Sequence, residues 1–279
     1  MKKAIFLAHV KDAAQQQGGT LQEYLKKARE LGYEGLECDY SDLEPDPRGF
    51  ADMLAEADLQ IASVPQWFSF EKCVDPEQIR SVVKNVAAAG GKKILAIPGF
   101  LDENCPNALE NMVEGLKILC REAAEYGIKV SLEDFDNIKS PCATAEGLAW
   151  FFERVPELGF NLDTGNFLYA EQDVVEITRK FADRLTHIHL KDRQETPVYE
   201  GQQPQYSIKG RAMYSCPVGQ GDIPIKELLA MADKVGYDGF CSAEHYGVDC
   251  VQLENIAKAC GHPTIQGMRD IKNELLAKL

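Results

Sequence analysis

Histidine is scarce in this chain, and its cysteines form no recognisable pairs. Only five histidines occur, and two of them stand together as His187 and His189. Nine cysteines is an odd number, they are scattered from Cys38 to Cys260, and no CxxC occurs. That pattern argues against a zinc ribbon or a disulfide framework and predicts free, mostly buried thiols in a reducing cytoplasm. A basic excess is also lacking. Thirty Lys and Arg against 44 Asp and Glu give a net charge of −14. Nucleic-acid binding depends on cations neutralising phosphates, and anionic membranes attract the same cations, so neither partner is expected. No apolar run is long enough to span a bilayer, and the one at residues 94–100 is among the more apolar. Lys2 and Lys3 precede only five apolar residues before His9, too few for the core of a secretory signal. A Gly-rich phosphate loop is missing after the first apolar run, where His9-Val10-Lys11-Asp12 stands instead. That argues against a doubly wound nucleotide-binding sheet.

What is present is an alternation of short β-rich runs with amphipathic helical stretches. Strands are expected at residues 4–8, 35–38, 60–64, 93–97, 128–133, 159–163, 185–190 and 239–244. Thr20 with Glu23 makes a capping box for a helix to Leu31, and Asp75-Pro76 opens another. Further helices are expected at residues 50–57, 107–126, 144–155, 173–182 and 224–235, with two more finishing the chain. Gly followed by Tyr, Ile or Phe joins helix to strand at Gly32-Tyr33, Gly127-Ile128, Gly159-Phe160 and Gly236-Tyr237. Glycine there suits a left-handed helix cap. Eight such units predict a (β/α)8 TIM barrel spanning residues 1–279 as a single domain. The long polar segment 193–220 interrupts the rhythm and reads as a loop.

In such a barrel the strand C-termini face the active site. Four consecutive strands end in Glu133, Asp163, His189 and Glu244. Three carboxylates converging in a low-dielectric site repel one another unless a cation lies between them. Three carboxylates and one imidazole suit a fairly hard divalent ion, Mn²⁺ or Mg²⁺, with Co²⁺ or Zn²⁺ as alternatives. Period-two alternation puts Ser131, Asn161, His187 and Ser242 one layer beneath these four, where they can orient the ligands. His187 is therefore expected to support the site rather than to ligate. Around the mouth, His9 at the end of strand one, Trp67 after strand three and Arg211 in the long loop are candidates to bind substrate.

The order of motifs carries a resemblance. Ser131-Leu132-Glu133-Asp134, Leu162-Asp163-Thr164-Gly165-Asn166, His187-Ile188-His189-Leu190-Lys191-Asp192, Pro217-Val218-Gly219-Gln220-Gly221-Asp222-Ile223 and Gly236-Tyr237-Asp238-Gly239 with Glu244 resemble the xylose isomerase-like TIM-barrel superfamily. Within it, they are similar to the sugar phosphate isomerase/epimerase branch. The resemblance implies one divalent metal held by Glu133, Asp163, His189 and Glu244. It also implies a small-molecule sugar substrate, and a homo-oligomer. Glu133 and Glu244 would then flank the substrate carbon as the two acid/base groups of a ketose isomerase or epimerase. A keto-sugar lyase or dehydratase is the alternative. Many relatives carry His where this chain has Asn166, a position that contacts substrate in the epimerases. Asn166 can still hydrogen-bond a hydroxyl but is a poor zinc ligand. That departure weakens the epimerase reading and, still more, an abasic-site nuclease.

Overall fold

Apolar strands that are buried on both faces need helices to cover them, and the chain supplies one after nearly every strand. The structure, a computed structural model, describes residues 1–244 other than Tyr199. The two expected terminal helices lie outside the described residues. Strand β1 (Lys2–Phe6) runs directly into helix α1 (Leu7–Gln17), followed by α2 (Leu21–Glu30), β2 (Gly35–Glu37), α3 (Tyr40–Leu43), α4 (Pro47–Glu56), β3 (Gln60–Trp67) and α5 (Pro76–Ala88). Next come β4 (Lys93–Ile97), α6 (Ala108–Ala124), β5 (Lys129–Glu133), α7 (Ala145–Arg154), β6 (Gly159–Asp163), α8 (Val174–Phe181) and β7 (Leu185–Leu190). The described chain ends with β8 (Asp192–Gln194), β9 (Gln205–Tyr206), β10 (Ala212–Cys216), α9 (Ile225–Lys234) and β11 (Phe240–Ala243).

Eight parallel strands close a barrel in the order β1-β11-β7-β6-β5-β4-β3-β2. This is the (β/α)8 barrel that the sequence predicts. The helices lay apolar stripes against it. Ile79, Val82, Val83 and Val86 form one such stripe on α5, and Met112, Leu116, Leu119 and Ala123 another on α6, all buried. Each buried Val, Ile, Leu or Met among them is worth roughly 1.5–3 kcal/mol before the entropy of ordering is deducted. Among the described residues, no helix is long and apolar enough to cross a membrane.

Three local expectations need correction. The first strand stops at Phe6, because Leu7, Val10, Ala13 and Ala14 repeat at helical spacing and bury one face of α1. His9 therefore sits in the first turn of a helix and does not end a strand. Secondly, the joint glycines do two jobs. Gly32, Gly127 and Gly236 have φ of 91°, 64° and 75°, the left-handed caps expected. Gly159 is different: a Cβ there would lie 2.3 Å from Thr186 Cγ2, so it is required for close strand approach. Thirdly, the polar segment after β7 is not all loop. It folds back as an antiparallel sheet, β8-β10-β9, beside the barrel mouth.

Candidate metal centre

Strand register brings the four strand-end groups together. Asp163 on β6 pairs with His189 on β7, and Ser242 on β11 pairs with the same residue. Glu244, just past β11, is fixed by its own N–H donating to the Leu190 carbonyl at 3.1 Å. One ligand atom from each of Glu133, Asp163, His189 and Glu244 lies within 4.8 Å of the others. His189 Nδ1 is 2.5 Å from Glu133 Oε1 and 3.2 Å from Glu244 Oε2.

The opposite ring nitrogen decides what Nδ1 can do. His189 Nε2 lies 3.0 Å from Glu37 Oε1, and His187 Nε2 lies 2.9 Å from Glu37 Oε2. An ionised carboxylate only accepts hydrogen bonds, so both Nε2 atoms donate to Glu37. In neutral His189 this leaves Nδ1 as a lone pair aimed at two carboxylate oxygens. Three acceptors in van der Waals contact require a proton or a metal ion between them. Glu37 with His189 thus forms the carboxylate–histidine pair that commonly orients a metal-binding imidazole. By this donor geometry the four residues fit a divalent cation.

Layers beneath the cluster behave as the strand alternation predicts, with one exception. Asn161 Nδ2 donates to Glu133 Oε1 at 2.7 Å, and Ser242 Oγ lies 2.9 Å from His187 Nε2. Ser131 instead reaches the Ile94 carbonyl, at 3.5 Å. Asp163 serves two purposes. Its Oδ1 accepts from the N–H groups of Gly165 and Asn166 at 2.7 and 2.8 Å, closing the turn after β6. Its Oδ2 faces the cluster.

Two charged residues that shape the site were not singled out in the sequence. Glu37 ends the short β2 and is fully buried. Lys191 follows β7, and its ammonium lies 2.6 Å from Glu244 Oε1, 2.9 Å from Asp163 Oδ2 and 2.8 Å from Asn166 Oδ1. A bound ion would share Asp163 Oδ2 with this ammonium. Glu37 had a signal: two inward imidazoles in an apolar barrel need a buried acid. Lys191 had none, since Lys at the start of a loop reads as solvated.

The electrostatics follow from burial and these partners. Burial raises the Glu133 carboxyl, and it lifts Asp163 to about 7 despite Lys191. Asp134, also buried, is pushed well above the carboxylate range by desolvation, with Asp163 and Glu133 adding repulsion. Burial acts against the charged forms of Glu37 and Glu244 too. It is outweighed at Glu37 by His189 and His187, and at Glu244 by Lys191 and His189, so both are held below the usual range. Burial pushes His187 down to about 4, against the pull of Glu37. His189 is desolvated as well, but Glu133 and Glu37 prevail and hold it well above its ordinary value.

A cavity of about 320 Å³ opens over the cluster, with Glu133, His189, Glu244, Lys191 and Asn166 on its floor and Trp67 and Phe135 on its wall. Trp67, Phe100 and Phe135 pack as a three-ring group with centroids 5.3 to 5.7 Å apart. Trp67 is the last residue of β3, not a residue after it, and is 48% exposed, leaving ring surface open. Asn166 is buried, accepting from Lys191 and donating to the Asp134 carbonyl at 3.1 Å. His9 is buried on α1, 5.8 Å from the Phe6 ring. Arg211 pairs with Glu195 at 2.8 Å on the inserted segment, outside this cavity. A larger opening of about 490 Å³ at the other end of the barrel, lined by Lys2, Lys92, Lys93 and Phe240, is remote from the cluster.

The chain is similar to known proteins. The chain is 26% identical over 149 residues to an inosose dehydratase of Clostridium perfringens, a match covering 48% of this chain and 46% of that protein. It is 23% identical over 247 residues to an inosose dehydratase of Lacticaseibacillus casei, covering 81% of this chain and 82% of the other. The chain thus spans about half the length of the first relative and most of the second. The D-psicose 3-epimerase of Clostridium cellulolyticum H10, solved with D-tagatose, superimposes with a TM-score of 0.71 at 16% identity over 99% of this chain and 97% of that one. At that identity the likeness shows the fold. Residues 25–262 match the xylose isomerase-like TIM barrel family model. Together the closed barrel and that match make the chain a member of the xylose isomerase-like TIM barrel family.

Proposed function

We propose that this protein is a divalent-metal-dependent isomerase or epimerase of a ketose or keto-sugar derivative. One observation carries the reading: the His189 ring, held through Nε2 by Glu37, turns Nδ1 toward Glu133 and Glu244 beneath an aromatic-walled cavity. Glu133, Asp163, His189 and Glu244 would hold the ion, with Mn²⁺ or Mg²⁺ best suited to three carboxylates and one imidazole. When bound, the ion supplies Lewis-acid stabilisation to negative charge developing on a sugar carbonyl oxygen.

The rest of the work falls to the chain's own groups. Glu133 and Glu244 both reach the cavity floor and are the carboxylates able to remove a proton beside the carbonyl and return one. Asn161 fixes Glu133 by its hydrogen bond, and Lys191 fixes Glu244. The Trp67 and Phe135 rings, backed by Phe100, give a sugar's C–H face an apolar surface and limit water. The Asn166 amide, whose Nδ2 gives one N–H to the Asp134 carbonyl, offers its second to a sugar hydroxyl. A cytoplasmic setting suits the unpaired thiols found among the described residues.

A lyase that expels water from a keto-sugar is the second reading. It is favoured by the relatives named inosose dehydratase. Incubating the Mn²⁺-loaded protein with ketoses in D₂O separates the two. Deuterium at the carbon beside the carbonyl, with the carbon skeleton and hydroxyl count unchanged, is the expected result. Loss of water would select the lyase. Neither exchange nor elimination across a broad ketose panel would sink both.

A further inference from the structure

A second cavity, of about 400 Å³, adjoins the one over the cluster. Asp136 and Lys191 line both, so a ligand resting on the cluster can extend between these two side chains into the second chamber. Its remaining polar lining is Arg193, Gln203, Gln205 and Ser215. These come from β8, β10 and the segment around β9, the inserted sheet that an eight-stranded barrel does not need for closure.

The chamber is built rather than incidental. Arg193 is only 4% exposed. Its Nη1 donates to Ser215 Oγ at 3.1 Å, and its Nη2 lies 3.4 Å from Asp136 Oδ2. Its Nε is buried with no hydrogen-bond partner among the described residues. Gln205 Nε2 donates to the same Asp136 oxygen at 2.8 Å. The Arg193 Nε is closed off from the chamber, so the polar groups open to a ligand are the glutamine amides and Asp136.

Charge decides what the chamber can hold. Among the lining residues, Lys191 already faces Asp163 and Glu244, and Arg193 faces Asp136. No lining cation is left uncompensated for a phosphate, and the chain as a whole carries −14. A hydroxyl, by contrast, both accepts and donates. It can accept from a glutamine amide and donate to Asp136. Pro204 and Met213 add apolar surface for C–H groups.

We infer that the substrate has two parts: a sugar that reacts over the cluster, and a neutral hydroxyl-rich substituent, a second glycosyl ring, seated among Arg193, Gln203 and Gln205. The inference rests on the sugar reading of the cluster. Its test is equilibrium binding of five probes to the Mn²⁺-loaded full chain: D-fructose, D-fructose 6-phosphate, and the fructosyl disaccharides isomaltulose, lactulose and turanose. At least one disaccharide should bind about tenfold or more tighter than fructose, as one or two added hydrogen bonds allow. Fructose 6-phosphate should bind no tighter than fructose. In the double variant Gln203→Ala, Gln205→Leu, with folding checked by its melting transition, the disaccharide advantage should disappear. The inference is overturned if no disaccharide exceeds fructose, if the phosphate ester binds best, or if the advantage survives in the variant. Disaccharide preference without proton exchange in D₂O would remove the isomerase reading and leave the chamber. Exchange of fructose without disaccharide preference would do the reverse.

Discussion

Lys191 is the residue on which the local charge balance turns. It is buried, and its ammonium contacts two carboxylates of the cluster. Removing one member of a buried ionic group strands the others, at a cost of about 3–5 kcal/mol. Lys191→Met should therefore lower the stability of the metal-free protein by about that amount, and added Mn²⁺ should restore part of it. Urea unfolding with and without the ion checks this, and equal stability of variant and parent would count against it. Glu37→Gln should weaken the ion instead, because Glu37 sets the His189 ring. A loss of about 10- to 100-fold in Mn²⁺ affinity is expected. His187 supplies the pH test. Its folded value of about 4 lies below the ordinary value of 6.5, so in that window the unfolded chain takes up a proton that the folded chain refuses. Stability should fall as pH drops from about 6.5 to about 4, by up to about 3 kcal/mol from this residue, and the slope should flatten in His187→Asn. Glu133, Asp163, His189 and Glu244 were legible as a candidate set because each stands within one residue of the end of a strand whose apolar alternation is clear. Glu37 was less so, because β2 is only three residues long and its strand was read through to Cys38.

Among the elements, the inserted sheet is joined to the loop that follows it through Asp192. Asp192 opens β8, and its carboxylate accepts from the N–H groups of Arg193, Gly219, Gly221 and Ile223 at 2.6 to 3.2 Å. It therefore ties the loop before α9 to the end of β7. Hydrogen bonds to a charged group are worth about 1.5–3 kcal/mol each, so Asp192→Ala should open this loop by at least the lower figure. Amide exchange at Gly219 and Gly221 should then accelerate at least about tenfold while amides in β5 and β6 keep their protection. Unchanged exchange at both glycines would mean that other contacts hold the loop. The barrel itself was readable, since glycine joints and capping residues mark the helix–strand boundaries. The insertion was not. Its strands are two to five residues long and polar, and they pair with each other rather than with the barrel, so no hydrophobic period announces them. The first strand was placed two residues late because its apolar run continues without a break into α1.

Over the whole molecule, an acidic chain closes a barrel around three converging carboxylates that Lys191 and His189 offset only in part, which makes the fold itself responsive to a cation. Ligand that binds only the folded state stabilises it by about 2.7 kcal/mol at a concentration one hundred times its dissociation constant. Chelation should accordingly lower the unfolding midpoint, and Mn²⁺ should raise it. The most direct test is a titration of the purified, metal-stripped protein with Mn²⁺, with the free ion followed by its electron paramagnetic resonance signal, in the parent chain and in His189→Gln. The account predicts one tight site per chain in the parent, weakened at least about 100-fold when the imidazole is removed. No tight binding in the parent, or full affinity in the variant, would contradict it.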